Sequence, residues 1–332
     1  MVNIKNKISD KEYFEITDRE SYSSISNYAE SPKKYIQSKE RTTSYFSLGK
    51  LVDFIRTEGE EKAKEVYAVN ILNSLPPQLE QYVNYVVENI SEVSLTDSLK
   101  LEVVKDLDIL GHIKKEETIL KNLSIADKHL DFYYKNKDKI IISFEDWTTA
   151  LGIINEWQSN EYTRTYTNMV SHENIEVFDE FPILWEYEGI KLKSKLDRII
   201  IDHKDKTIIP IDYKTSSKDV HNFIKSYWSF RYYYQASMYV AALQYAFPDY
   251  KILPFIFIVG STVNNEVTVY KINKLDTLTA MNDFKLESGN IVKGWTTLLK
   301  ELEEQKKLNY FEYTLDYINN GFYEIKDFRQ IK

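Results

Sequence analysis

The sequence predicts a mixed α/β fold, in which a central mixed sheet is flanked by helices and carries a helical insertion. Two short β-branched runs, residues 199–201 and 208–211, bracket a polar turn and predict a hairpin. Two further strands are predicted at residues 252–259 and 266–272. From residue 58 to about 160, by contrast, apolar residues recur at spacings of three and four, which predicts helices. Strands and helices combined in this way are typical of an α/β architecture.

Length and composition limit the class of protein. The chain has 332 residues, of which 43% are hydrophobic and 28% charged, so it can bury a large core. We predict a single domain over residues 1–332, with the helical insertion at 58–160 and a helical C-terminal extension at 273–332. The net charge of −8 argues against a nonspecific DNA-coating protein but permits a locally basic groove. The absence of cysteine excludes disulfides, thiolate zinc sites and cysteine-bound iron–sulfur clusters.

Two stretches bear on where the protein acts. Residues 1–7 have no apolar run behind their lysines, so no secretory signal is expected. The most apolar stretch, residues 252–260, is far shorter than the roughly 20 residues needed to cross a bilayer. We therefore expect a cytoplasmic protein without membrane contact.

The N-terminal region predicts two short helices. The first covers residues 20–37, begins near Ser23 or Ser24 as N-cap and is interrupted at Pro32. The second covers residues 49–57, where Asp53 lies one turn from Gly49 on the same face. Asp53 is either a metal ligand or an exposed acid of an amphipathic helix.

Residues 220–247 predict one or two helices after the sheet. Arg231, Gln235 and Tyr239 recur at intervals of four, so a cation, an amide and a phenol would share one face. That face would suit hydrogen bonding to a DNA backbone or to carboxylates of a metal site. Alternatively it is the polar outer face of an ordinary helix, with Tyr232 among the residues that face the core.

The hairpin brings charged side chains together. Alternate residues of a strand share a face, so Asp212 and Lys214 point one way and Tyr213 the other. The neighbouring strand can place Asp197 beside Asp212. Two carboxylates and the carbonyl of Tyr213 are the hard oxygen ligands that Mg²⁺ or Mn²⁺ prefers, and Lys214 could neutralise phosphate charge. Taken singly, Asp197 would be an acid paired with Arg198 or Lys195 at a strand end. Asp212 and Lys214 would be ordinary surface charges of the hairpin.

The spacing of these residues resembles a known signature. Asp197, followed after fourteen residues by Asp212-Tyr-Lys214, resembles the Asp…(Asp/Glu)-x-Lys pattern of the PD-(D/E)xK nuclease superfamily. The match is closer to its RecB-like exonuclease branch, in which a following helix carries Gln-x-x-x-Tyr. Gln235 and Tyr239 have that spacing in this chain.

Two upstream motifs extend the resemblance. The family carries Gly-x-x-x-His on an early helix, and this chain has Gly49-Lys-Leu-Val-Asp53, with an aspartate that can also bind a hard cation. Residues 22–35 resemble the serine-rich start and Ser-Pro-x-x-Tyr motif of phage proteins related to exodeoxyribonuclease VIII. The resemblance spans about residues 20–245 and is strongest over 180–240.

The resemblance implies a metal-dependent DNA nuclease, an exonuclease of phage DNA recombination, repair or processing, that uses Mg²⁺ or Mn²⁺ and no iron–sulfur cluster. It implies the catalytic residues Asp197, Asp212, Lys214 and Gln235. It implies the metal ligands Asp53, Asp197, Asp212 and Tyr213, with Glu180 as an additional candidate acid. The expected DNA contacts are Lys33, Lys34, Arg231 and Tyr239. Besides DNA, a single-strand annealing or recombination protein is an expected partner, in the cytoplasm of the host.

Two other functions stay open from the sequence. A nuclease-fold DNA-binding or virion-associated protein without activity would fit the aspartate at position 53 and the acidic charge. The intact Asp197, Asp212 and Lys214 argue against it. A carboxylate-pair hydrolase acting on sugars would leave Lys214 without a role.

Overall fold

The computed structural model describes residues 8–40, 47–90, 95–286, 289 and 291–321. The chain divides into two compact units, the first formed by residues 1–45 and 153–332 and the second by residues 46–152. The second unit is thus an insertion into the first. Its bounds differ from the predicted 58–160, because the helix that carries Asp53 belongs to the inserted unit.

Both units contain helices and strands. The helices are α1 (Asp10–Glu15), α2 (Tyr22–Glu30), α3 (Pro32–Glu40), α4 (Leu48–Glu58), α5 (Glu60–Val66), α6 (Pro77–Asn89), α7 (Asp97–Asp106), α8 (Glu116–Lys135), α9 (Phe144–Ser159), α10 (Arg164–Thr167), α11 (Phe223–Ser229), α12 (Tyr232–Ala246), α13 (Lys274–Thr279), α14 (Trp295–Leu308) and α15 (Leu315–Asn320). The strands are β1 (Tyr67–Asn70), β2 (Ile140–Ser143), β3 (Ile175–Tyr187), β4 (Ile190–Asp202), β5 (Thr207–Ser216), β6 (Lys251–Ile252), β7 (Phe255–Ser261), β8 (Val267–Ile272), β9 (Phe284–Lys285) and β10 (Ile291–Val292).

The first unit is built on a six-stranded mixed sheet in the order β3-β4-β5-β7-β8, with β6 also beside β5. Strands β3, β4 and β5 are antiparallel neighbours, whereas β5 and β7 are parallel. Ile201 pairs with Ile208 across the β4–β5 turn, which confirms the predicted hairpin. The mixed sheet flanked by helices confirms the predicted fold class.

Helix α12 packs on the sheet and is buried along most of its length. Its sequence is apolar or aromatic on nearly every side, as expected for a helix enclosed by protein. Trp185 of β3, Phe257 of β7 and Trp295 of α14 are each at most 2% exposed in the same core. Helix α12 therefore presents its side chains directly to the sheet.

Several boundaries differ from the predictions for local reasons. The first predicted helix is two helices, α2 and α3, and its N-cap is Ser21, whose hydroxyl accepts from the backbone N–H of Ser24 in a capping box. The predicted strand at 252–259 is divided into β6 and β7 around Pro254, which has no N–H for a sheet ladder. The predicted C-terminal extension contains α13 and α14 with the β9–β10 hairpin between them; residues 322–332 lie outside the described residues.

The second unit has a helical core formed by α6, α7 and α8, in which Tyr82 and Leu123 are fully buried. Helix α4 confirms the helix predicted at 49–57. The unit also contains a parallel pair of strands, β1 and β2, in a block that we predicted to be helical. Within the described part of the chain, no helix is both long enough and apolar enough to cross a membrane.

Candidate active site

Strand β4 carries Asp197 at a point where the sheet opens. The β4–β5 ladder ends with the pair Arg198–Ile211, and beyond it the backbone N–H of Tyr213 donates to Oδ2 of Asp197 at 2.8 Å. On the other side of β4, Glu180 has a φ of 52°, which kinks β3 opposite Asp197. The Asp197 side chain thus replaces a ladder carbonyl and stays partly exposed.

Asp212 lies at the next register position of β5 and is 0% exposed. Its Oδ1 accepts a hydrogen bond of 2.7 Å from Nε2 of Gln235 on α12. Its Oδ2 forms an ion pair with the amine of Lys214. Oε1 of Gln235 is buried and has no hydrogen-bond partner among the residues that the structure describes. Gln235 therefore fixes the buried carboxylate through its amide N–H.

Lys214 points to the same side as Asp212, as predicted, and Tyr213 packs on the other side against Trp157, with ring centroids 4.9 Å apart. The Lys214 amine lies 4.8 Å from the ring centroid of Tyr232. Burial alone would lower the pKa of this amine, but the carboxylates of Asp212 and Asp197 raise it above its ordinary value. Lys214 is therefore a protonated cation at neutral pH.

Two tyrosines complete the surroundings of the carboxylates. Tyr239 is 8% exposed, and burial raises the pKa of its phenol, with the charges of Asp212 and Asp197 acting in the same direction. This placement inside the site does not favour the predicted contact with DNA, which stays a prediction. Burial also raises the pKa of Tyr22, with smaller effects from Lys214 and Asp212. The sequence singled out no role for Tyr22 or Tyr232 at this site.

Helix α12 separates the three residues of the predicted face. Gln235 and Tyr239 are buried and directed toward the carboxylates, which agrees with the predicted hydrogen bonding to carboxylates and not with the alternative of an outer polar face. Arg231 precedes the helix as its N-cap and has a φ of 57°, so it does not extend the i, i+4 row. Its guanidinium lies 3.7 Å from the carboxylate of Glu30.

The other predicted DNA contacts are surface cations with acidic partners. The Lys34 amine lies 2.6 Å from the Glu30 carboxylate, which it shares with Arg231. Lys33 pairs instead with Glu312 at 3.3 Å. The structure thus brings Lys34 and Arg231 together, and the roles of all three cations in DNA binding stay predictions.

The donors at the sheet opening match a hard divalent cation. Asp197 and Asp212 supply carboxylates, and the carbonyl of Tyr213 is a third oxygen donor. The ion pair between Asp212 and Lys214 places a positive charge at this point as well. Among the described residues, no group of three or more histidine, cysteine, aspartate or glutamate side chains could hold a metal ion. A site here would therefore draw on the carbonyl or on water as well as on the two carboxylates.

Two further acids were predicted near the metal. Asp53 lies on α4 of the second unit, where its side chain is 53% exposed and pairs with Arg56 at 2.7 Å. Its role as a metal ligand stays a prediction. Glu180 pairs with Lys195 at 2.7 Å, so its carboxylate already neutralises a cation on the neighbouring strand.

Comparison with known proteins identifies the family of the chain. A family model of the PD-(D/E)XK nuclease superfamily matches residues 129–330. The crystal structure of a candidate exonuclease from Eubacterium rectale is 13% identical, with a TM-score of 0.43 over 97% of this chain and 96% of that one. The crystal structure of the protein SSO0001 is also 13% identical, with a TM-score of 0.26 over 72% of this chain and 88% of the other. None of the curated proteins compared with this sequence matches it.

Proposed function

Because the chain belongs to the PD-(D/E)XK nuclease superfamily, we propose that it is a metal-dependent deoxyribonuclease that hydrolyses phosphodiester bonds as an exonuclease. One observation carries the proposal: the buried carboxylate of Asp212 is held between Gln235 and Lys214. A buried charge is costly unless it is paired, and such groups are concentrated at functional sites. The sheet opening also brings Asp197 to the adjacent register position.

Asp197, Asp212 and the carbonyl of Tyr213 would hold Mg²⁺ or Mn²⁺. The bound cation would supply Lewis acidity at a phosphate oxygen and lower the pKa of water. Gln235 keeps Asp212 in a fixed orientation through its 2.7 Å hydrogen bond. The Lys214 amine, which pairs with Asp212, would offer a positive charge to the phosphate as negative charge develops there.

The finer parts of the proposal come from the resemblance of the motifs. They are an exonuclease mode, action in phage DNA recombination, repair or processing, a single-strand annealing or recombination protein as partner, and a cytoplasmic setting. Asp53 of the second unit is proposed as a further metal ligand. Lys33, Lys34 and Arg231 are proposed to contact the DNA backbone.

The test is digestion of linear and closed-circular DNA by the purified protein with Mg²⁺, with Mn²⁺ and with chelator. We expect metal-dependent loss of the linear DNA alone. Asp212→Asn removes the charge with little change in size and should abolish cleavage, whereas Lys214→Ala should abolish cleavage but retain DNA binding. Full cleavage by the Asp212→Asn variant would refute the catalytic role of Asp212. Nicking of the closed-circular DNA would show that the enzyme is an endonuclease and not an exonuclease.

A second candidate function is a DNA-binding or virion-associated protein that has lost activity. It is favoured by one observation, that the described residues contain no cluster of three acidic or histidine side chains for a metal. Calorimetric titration with Mn²⁺ separates the two functions. Binding that is lost in Asp212→Asn supports the nuclease, whereas no heat of binding supports the inactive protein.

A further inference from the structure

The corner between α11 and α12 carries two large aromatic side chains that the fold leaves in contact with solvent. Phe230 is 57% exposed and Trp228 is 47% exposed. The other four tryptophans of the chain are at most 7% exposed, so Trp228 is exposed where the other tryptophans are buried. Two large exposed aromatic side chains only two residues apart in the chain are a candidate binding surface. We call Trp228 and Phe230 the aromatic corner.

The aromatic corner is connected to the candidate active site by close contacts. The ring centroid of Phe230 lies 5.7 Å from that of Tyr232. The same Tyr232 ring lies 4.8 Å from the amine of Lys214. The hydroxyl of Tyr22 donates a 2.6 Å hydrogen bond to the carbonyl of Phe230, which fixes the backbone of the corner to α2. One aromatic ring therefore separates an exposed ring from the proposed catalytic amine.

The backbone holds this corner in an unusual conformation. Arg231 has a φ of 57°, a left-handed conformation that is unfavourable for a residue with a side chain. This turn allows α12 to begin at Tyr232 directly after α11 ends at Ser229. The Arg231 guanidinium and the Lys34 amine both lie beside the Glu30 carboxylate. Backbone strain of this kind is commonly retained where it positions a functional group.

We propose that the aromatic corner stacks the base of an unpaired nucleotide next to the phosphate that Lys214 meets, so that the substrate is DNA with unpaired bases at the point of cleavage. This inference rests on the proposed nuclease function. A base stacked on Phe230 and a phosphate beside Lys214 would belong to the same or neighbouring nucleotides, because a single ring lies between the two side chains. Stacking uses the face of the base and therefore tolerates any sequence.

The chemistry around the corner favours a nucleotide over a protein partner. Arg231 directly follows Phe230 in the chain, and Arg231 and Lys34 share the one carboxylate of Glu30, so this group of three side chains keeps a net positive charge that suits a phosphate backbone. A base in a closed duplex has both faces covered by its neighbours, so only an unpaired or frayed strand offers a face to Phe230.

The test uses the full-length protein in chelator, so that binding is measured without cleavage. The ligands are a ten-nucleotide thymidine strand, an abasic strand with the same number of phosphates, and a blunt duplex. Trp228 is the reporter, because its fluorescence should be quenched by a stacked base, and Trp228→Phe identifies its share of the signal. We expect quenching by the thymidine strand and none by the abasic strand.

Phe230→Ala should bind the thymidine strand about 5- to 150-fold more weakly, which is the loss of one stacked base, and the abasic strand with unchanged affinity. Phe230→Tyr should restore binding. The matched control is Tyr245→Ala, which removes an aromatic side chain of α12 that is 52% exposed. Tyr245 lies 13 residues, or about 20 Å, along the helix from Tyr232, so this change should not affect binding.

The outcomes separate this inference from the function on which it rests. If Phe230→Ala binds the thymidine strand normally, or if the wild type binds the abasic strand or the duplex as tightly as the thymidine strand, the stacking role is refuted while nuclease activity stands. If no strand binds and no strand is cleaved with Mn²⁺, the proposed function fails and this inference with it.

Discussion

Replacing Lys214 by methionine should destabilise the first unit strongly when no divalent cation is present. The change keeps the length of the side chain but removes the cation that pairs with Asp212, whose carboxylate is 0% exposed. Breaking a buried ion pair from one side typically costs about 3–5 kcal/mol, because an uncompensated charge stays buried. We expect that loss in the free energy of unfolding, measured in chelator by urea titration. Four of the five tryptophans that report it belong to the first unit.

The double variant Asp212→Asn/Lys214→Met provides the control. It removes both charges, so we expect it to recover most of the lost stability, since neutral replacement of a buried pair is often neutral or stabilising. Lys33→Met breaks an exposed ion pair, 60% and 59% exposed, and should cost less than about 1 kcal/mol. Mg²⁺ at 100 times its dissociation constant should restore about 2.7 kcal/mol to the single variant. A loss below about 1 kcal/mol for Lys214→Met, or no recovery in the double variant, would refute this account of the site.

Two further predictions concern stability away from the carboxylates. Glu20 is 3% exposed, and although burial alone would raise its pKa, Lys306 and other partners lower it below the ordinary value of 4.5. Its stabilising contribution is therefore complete above pH 4.5 and is lost as the pH falls toward the folded-state pKa. In urea titrations, the free energy of unfolding should fall less on acidification for Glu20→Gln than for the wild type. Equal losses would contradict this. Gly260→Ala should destabilise by about 1–3 kcal/mol in thermal or urea unfolding, because the new Cβ would lie 2.5 Å from Cγ2 of Ile153. Gly111→Ala, with no atom closer than 4.0 Å to its Cβ, is the control, and an equal effect of the two changes would refute the packing argument.

The sheet was predictable because its hairpins are encoded locally. The isoleucines around residues 199–211 and the polar turn between them specify both strands and their register. The pair β1–β2 was missed because its strands are four residues long and pair across about 70 residues of helical sequence. Nothing in a local pattern reports such a distant partner, and helical periodicity on either side hides the short runs.

In the candidate site, too, local features could be predicted from the sequence and long-range contacts could not. The alternation of a strand is a local property, so Asp212 and Lys214 could be placed on one side from sequence alone. The position of Tyr22 could not, because its hydrogen bond to Phe230 joins residues 208 positions apart. Arg231 was misplaced for another reason: a spacing of four continues a helical row only where the backbone is helical, and its φ is positive.

The hydrogen bond between Asp197 and the backbone of Tyr213 gives this acid a structural role that does not depend on catalysis. Its carboxylate joins β4 to β5 by a hydrogen bond where the two strands separate, so this position needs a side chain with an oxygen acceptor. A relative that had ceased to cut DNA would still be under pressure to keep aspartate or asparagine at this position. Asp197 by itself is thus a poor indicator of activity when active and inactive forms of this fold are compared.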